Sequence, residues 1–234
     1  MQRMMLVALM SVAVNSFAMA QVPAGASATV AGGVVSASAP VAIVPAAVVP
    51  QTAAEVLQIL PSDRVEGSVM APLTIIEYAS MTCSHCADFA KDTLPQLRKE
   101  WIATGKAKFV MRDLAWDNLA LGMAKIARCA PAEQFKPLVE SFFGGQQKII
   151  TSASPLDEIK QITRMAGMDD ATVDACVKDA ALHAQVLASK NQALEILKVQ
   201  GTPAIFVNGV KVDGAVAYKD LKKVLDAEYA KVKK

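Results

Sequence analysis

"TIIEYASMTCSHCADFAKDTLP", Thr74 to Pro95, decides how this chain is read. With Leu73 before it, the stretch opens as "LTIIEYA", a β-branched and almost continuously apolar run. That is the pattern of a strand buried on both faces. It passes directly into Cys83-Ser84-His85-Cys86, after which Phe89, Leu94, Leu97 and Trp101 recur at helical spacing, with Pro95 as an expected kink. "KAKFVMRD", from Lys106, then reads as a second strand beside the first. Strand, Cys-x-x-Cys at a helix start, helix and strand make a βαβ unit with a redox motif at its turn. Taken alone, the cysteine pair leaves three uses open: half of a zinc site, a structural staple, or a pair that cycles between dithiol and disulfide.

Working outward, "MQRMMLVALMSVAVNSFAMA" carries Arg3, an apolar stretch from Met4 to Val14, and Ala18-Met19-Ala20. The stretch is short for a bilayer span, and the small-x-small ending predicts a signal peptide over residues 1–20, cleaved after Ala20. Residues 21–54 are mostly Ala, Val, Pro, Gly and Ser, with Pro40, Pro45 and Pro50 and no charge, which predicts a disordered tether. Twenty-four Lys and Arg against 22 Asp and Glu give a net charge of +2, and loss of Arg3 leaves +1. With no basic block in its body, the chain offers no footprint for nucleic acid. Four cysteines in an exported chain point to disulfide chemistry.

The middle of the chain has helical periodicity over Asn118–Ala130, Pro131–Phe143, Ser154–Gly167, from Asp169 onward, and from Ala181 to Val199. Ser154 is the expected cap of the third, with Pro155 in its first turn, Asp157 at capping-box spacing and Gly167 as its stop. Strands resume at "PAIFVNGVKVDG", where Asn208-Gly209 signals a two-residue hairpin. "YKDLKKVLDAEYAKV" closes the chain as a helix with Leu221, Val224 and Leu225 on one side.

From about Arg64 to Lys231 the chain resembles the DsbA family of exported thiol-disulfide oxidoreductases. "EYASMTCSHC", the helical block and "GTPAIFVNG" carry the resemblance. It implies an α/β, thioredoxin-like fold with an inserted all-helical domain: residues 55–115, then 116–190 as the insert, then 191–234. It also implies a periplasmic enzyme, most simply a dithiol oxidase, that needs no bound cofactor because Cys83 and Cys86 carry both electrons. The implied substrates are exported proteins with free cysteines, and the implied partner is a DsbB-like, quinone-linked membrane oxidase. By the same resemblance Thr202-Pro203 is a cis peptide that offers backbone hydrogen bonds to substrate. Glu77 is then an acidic residue beneath the motif that shuttles the proton of Cys86, and Cys129 and Cys176 form a non-catalytic disulfide. Ser84 departs from the best-known member, which has proline there, and Ala90 stands where that member has a second acidic residue.

The residues support this chemistry on their own terms. At a helix start Cys83 meets unpaired backbone N–H groups, which favours the attacking thiolate. Cys86, a turn later, is placed to resolve a mixed disulfide. His85, within the Ser84-His85 dipeptide, can add to the stabilisation of the Cys83 anion. Zinc would need further donors, and only Cys129, Cys176 and His183 remain. For Glu77 the alternative is a structural glutamate paired with lysine; for Pro203, a proline that merely starts a strand. Two other functions stay open. Thr202 before Pro203 resembles the reductase and isomerase branches of the exported thioredoxin-fold proteins and so implies a disulfide reductase or isomerase, whereas a non-enzymatic peptide-binding chaperone would use the groove beside Pro203 without needing both cysteines.

Overall fold

A computed structural model describes residues 52–212 and 217–233. The expected signal peptide and all but the last three residues of the expected tether lie outside the described residues. Five strands form one sheet: β1 (Val65–Glu66), β2 (Leu73–Ala79), β3 (Ala107–Asp113), β4 (Ala204–Val207) and β5 (Val210–Val212), in the order β1-β3-β2-β4-β5. β2 runs parallel to β3 from Leu73↔Ala107 to Ala79↔Asp113, and β4 pairs antiparallel on its other side from Ile75↔Val207 to Tyr78↔Ala204. β2 is therefore central, which explains its largely apolar character. Its alternation places Leu73, Ile75 and Ala79 in one core and Ile76 and Tyr78 in the other. Asn208 and Gly209 both have positive φ, 47° and 85°, as the expected tight hairpin requires.

α1 (Ala53–Val56) is a single turn. It begins inside the segment expected as tether, because Thr52 and Glu55 close a capping box and Val56 is buried. Arg112 of β3 anchors this turn and the loop beyond it. Its guanidinium donates to the Val56 and Gln58 carbonyls and, at 3.0 and 2.7 Å, to both oxygens of Asp63. After β2 comes a continuous helical rod built from α2 (Ser84–Asp88), a π turn (Phe89–Thr93), α3 (Leu94–Leu97) and a second π turn (Arg98–Ile102). The rod meets Pro95 by widening: the Leu94 N–H bonds to the Phe89 carbonyl five residues back.

Between β3 and β4 lie α4 (Asn118–Cys129), α5 (Ala132–Gly144), α6 (Gln146–Thr151), α7 (Pro155–Met165), α8 (Asp170–Lys178) and α9 (Ala180–Asn191), the last extended by a π turn over Gln192–Ile196. α10 (Tyr218–Val232) closes the described chain after the hairpin. The fold is thus the expected thioredoxin-like sheet with a helical insert. α6 is an addition to the sequence reading. The capping box expected at Ser154 does not form: the Ser154 N–H already donates to the Ser152 hydroxyl at 3.1 Å, so Asp157 has no cap to close. Pro155 and Gly167 (φ 77°) nevertheless bound the helix as expected. The expected boundary at 190/191 cuts through a continuous helix, since α9 packs on both α4 and β3.

Two interactions tie the insert together and to the sheet. The Arg128 side chain of α4 donates to Asp113 at 2.7 Å and to the Met111 carbonyl at 2.9 Å, all in the interior. Cys129 and Cys176 are joined as a disulfide across α4 and α8, 47 residues apart in sequence. A Cys129→Ala Cys176→Ala variant is expected to lose about 2–4 kcal/mol of stability in urea melts, the range for a closed loop of this size. The same variant should keep the alkylation rate of Cys83, which shares no element with the bridge.

Candidate active site

The carboxyl end of β2 delivers the chain to the start of the helical rod. Cys83 is the N-cap of α2 and half-buried, while Cys86, in the first turn, is fully buried. Both are free thiols here. The loop between strand and helix is held from the insert. Gln146 of α6 donates from Nε2 to the carbonyls of Met81, at 2.9 Å, and Cys83, at 3.0 Å. Asp117 accepts from the Thr82 hydroxyl at 2.6 Å and, with its other oxygen, from the Ala120 N–H at 2.8 Å. Trp116 Nε1 donates to the Thr202 hydroxyl at 3.0 Å.

Thr202-Pro203 is a cis peptide set against the motif, and the Cys83 thiol donates to the Thr202 carbonyl at 3.2 Å. The electrostatics around the two sulfurs part their acidities. A hydrogen bond from the Cys86 thiol, followed by the Thr202 side chain and the backbone N–H groups of Cys86 and His85, brings Cys83 down from 9.0 to about 5, against the opposing effect of burial. That same hydrogen bond, together with burial and the nearby Glu77 charge, pushes the Cys86 thiol far up. One sulfur is an anion at neutral pH and its neighbour keeps its proton. His85 helps through its backbone rather than, as expected, through its ring. The imidazole is exposed, 3.9 Å from the Asp88 carboxylate.

Glu77 faces the same core as Cys86. It is 3 % exposed, and burial raises its carboxyl to about 8, with the Cys83 charge adding to the effect and Arg98 opposing it. The lysine-paired alternative is not what the chain builds. No salt bridge reaches Glu77 among the described residues, and its Oε1 has no hydrogen-bond partner. Arg98 instead binds Glu66 at 2.8 and 3.0 Å and Glu140. A cavity of about 250 Å³ lined by Ala90, Leu94, Phe109 and Met111 lies beside the carboxyl. Burial thus favours the protonated Glu77 carboxyl near pH 7, a form that can give up a proton and take it back as the carboxylate.

The donors that zinc would recruit are committed or remote: Cys129 and Cys176 are bonded to each other, and His183 is exposed on α9. On the surface, a groove of about 610 Å³ runs from Asp88, Phe89 and Thr93 to Thr202, Pro203 and Lys211, while exposed Ser84 lines a second cleft together with Cys83. The structure therefore brings Cys83, Cys86, Glu77, Thr202 and Pro203 together. It adds three residues the sequence reading missed. Gln146 sits on the helix that was not foreseen, Asp117 looks like any helix cap, and Trp116 belongs to no motif.

A family model described as thioredoxin matches residues 60–227. A Rickettsia prowazekii protein, provisionally named a protein-disulfide oxidoreductase, is 28% identical over 153 residues; the match covers 65% of this chain and 56% of that protein. The chain thus spans little more than half the length of that relative. Disulfide bond formation protein D of Bacillus subtilis is 23% identical over 172 residues, 70% of this chain and 76% of its own. Among solved structures, Wolbachia pipientis alpha-DsbA1 superposes with a TM-score of 0.72 at 26% identity, covering 77% of this chain and 98% of that one. Bacillus subtilis BdbD, in its oxidised form, gives 0.66 at 19% identity, covering 72% and 94%.

Two measurements check the electrostatics. Alkylation of Cys83 in the reduced protein is expected to rise with a midpoint near pH 5; a midpoint near 9 would show no stabilised anion. Glu77 is the opposite case. Its pKa is raised, so the folded state holds a proton that the unfolded chain gives up, and this contribution to stability falls as pH rises from 4.5 through about 8. Glu77→Gln removes that titration and should stabilise the protein by roughly 1–3 kcal/mol at pH 7 and by little at pH 4 in urea melts. A loss of stability at pH 7 would mean the carboxylate is charged and paired.

Proposed function

The chain belongs to the thioredoxin family, and from that premise we propose that it is a protein thiol-disulfide oxidoreductase working as a dithiol oxidase on exported proteins. The observation that carries the reading is the geometry of the Cys-x-x-Cys pair: Cys83 at the N-cap of α2, 3.2 Å from the carbonyl of the cis Thr202-Pro203 peptide, with Cys86 buried a turn later. In the oxidised protein a substrate thiolate attacks the Cys83 sulfur. A bond forms between substrate and Cys83, the Cys83–Cys86 bond breaks, and Cys86 leaves with the electron pair. Neutral Glu77, on the same face, supplies the proton that the strongly basic Cys86 sulfur needs. A second substrate thiolate then attacks the substrate sulfur of the mixed disulfide. The substrate's disulfide forms, and Cys83 departs as the thiolate its surroundings favour. That favoured departure drives the disulfide out to the substrate, the direction of an oxidase.

The groove beside Thr202 and Pro203 is the proposed seat of the substrate segment, bound as an added strand. Reoxidation of Cys83–Cys86 falls to a DsbB-like, quinone-linked membrane oxidase, and the signal-peptide pattern in residues 1–20 supports work in the periplasm. A chaperone using the same groove would need neither sulfur.

A glutathione redox titration of the mature protein, quenched with a mass-adding alkylator and mapped to each cysteine, is the test. Cys83–Cys86 is expected to stay reduced at thiol ratios where ordinary protein disulfides persist, a potential well above that of the glutathione pool. A potential well below that pool would assign the reductase or isomerase direction, and no cycling at all would leave the binding module. Cys86→Ala should accumulate a mixed disulfide when its Cys83 thiolate attacks a disulfide-bonded substrate peptide, releasing the peptide's other thiol, visible as an adduct on a non-reducing gel.

A further inference from the structure

Thr202 turns two groups of opposite preference toward the same sulfur. Its carbonyl accepts a hydrogen bond from the Cys83 thiol at 3.2 Å and so favours the protonated form. Its hydroxyl, when it donates, favours the anion instead. A threonine hydroxyl has one proton and two acceptor positions, and it rotates to suit its neighbours. Which way it faces is therefore decided by what else it touches.

That other neighbour is Trp116, in the short connection between β3 and α4. Its indole N–H, a group that can only donate, lies 3.0 Å from Thr202 Oγ1. The ring is 42% exposed, so core packing does not account for its place. The adjoining Asp117 is fixed at both ends, to Thr82 and to the start of α4, which pins the connection that carries the indole. On the ring's outer side is the Lys190 ammonium, 6.0 Å from its centre. Among the described residues the other ionisable groups about the sulfur are Cys86, Glu77 of β2, and Asp117, which lines the same cleft as Cys83.

We propose that Trp116 is a positioning residue for Cys83. By occupying the acceptor side of the Thr202 hydroxyl, its indole N–H leaves the hydroxyl proton for the sulfur and biases the pair toward the thiolate. The inference rests on the redox reading of the site, and it reaches the nucleophile through Thr202 alone.

Trp116→Phe keeps an aromatic ring and removes the N–H; Thr202→Val removes the hydroxyl. Each variant and the double variant are reduced, and the pH midpoint of Cys83 alkylation is measured alongside the equilibrium with glutathione. Losing the orientation of one donor to an anion should raise the Cys83 ionisation midpoint by a factor of about three to ten in the acid constant. The equilibrium constant for reduction by glutathione should fall by a similar factor, where tenfold corresponds to about 30 mV. In the Thr202→Val background, Trp116→Phe should add nothing. An equal shift in both backgrounds would overturn the proposal, since the indole would then act by another route. So would a Trp116→Phe variant that loses stability in urea while keeping the midpoint of the parent. Failure of the parent protein to equilibrate with glutathione would sink the oxidoreductase reading instead, and the alkylation midpoints would still decide the role of Trp116.

Discussion

The parallel pairing of β2 with β3, with β4 closing the other edge of β2, is the constraint on which the rest depends. It closes both edges of β2, makes it the interior strand with a side-chain core on each face, and sends its carboxyl end straight into the N-cap of α2, where Cys83 stands. A strand so enclosed should carry no charge, yet it carries Glu77. Burial keeps that carboxyl neutral, and the alternation of the strand aims it at the same core as Cys86. The acid and the sulfur it can serve are brought together by strand geometry alone, with no further device.

The nucleophile, in contrast, is shaped by its own helix start together with one residue far away in sequence, Thr202. The anion at Cys83 draws on the Cys86 thiol, on Thr202 and on backbone N–H groups at the helix start. The segments that supply these donors are held in place from the helical insert, through Gln146 on one flank and Asp117 on another. The buried Arg128–Asp113 pair locks the insert to the end of β3. The insert therefore fixes the loop in which the reactive sulfur sits.

The sheet, the motif and most helices were legible because each rests on local pattern. An apolar run, Cys83 and Cys86 three apart, Asn208-Gly209 and the spacing of Leu221 and Leu225 need no knowledge of neighbours. α6 escaped because six residues between Gly145 and Ser152 are too few to display a period. Ser154 has the right spacing for a capping box, but the Ser152 hydroxyl, two residues earlier, had already taken its N–H. His85 was expected to act through its ring because sequence shows side chains and hides the direction of backbone N–H groups. Gln146 and Trp116 were invisible for a related reason: a lone glutamine or tryptophan has no signature until the fold supplies its partner.

The two π turns in the rod from Ser84 to Ile102 have one more consequence. A π turn is an α-helix with a residue too many, accommodated by one wider loop of backbone. Each residue of an α-helix advances the side-chain direction by about 100°. The rod's buried side chains, Cys86 and Phe89 near its start and Leu97 and Trp101 near its end, pack into one core. An extra residue in an unbroken α-helix would turn everything beyond it by that angle, whereas the wide loop absorbs it in place. Deleting a single residue from Phe89–Thr93 would therefore close the loop to a regular helix and leave the turns on either side in phase. The redox cysteines and Trp101 would both keep their places, so the rod tolerates a change of length there that a regular helix would not.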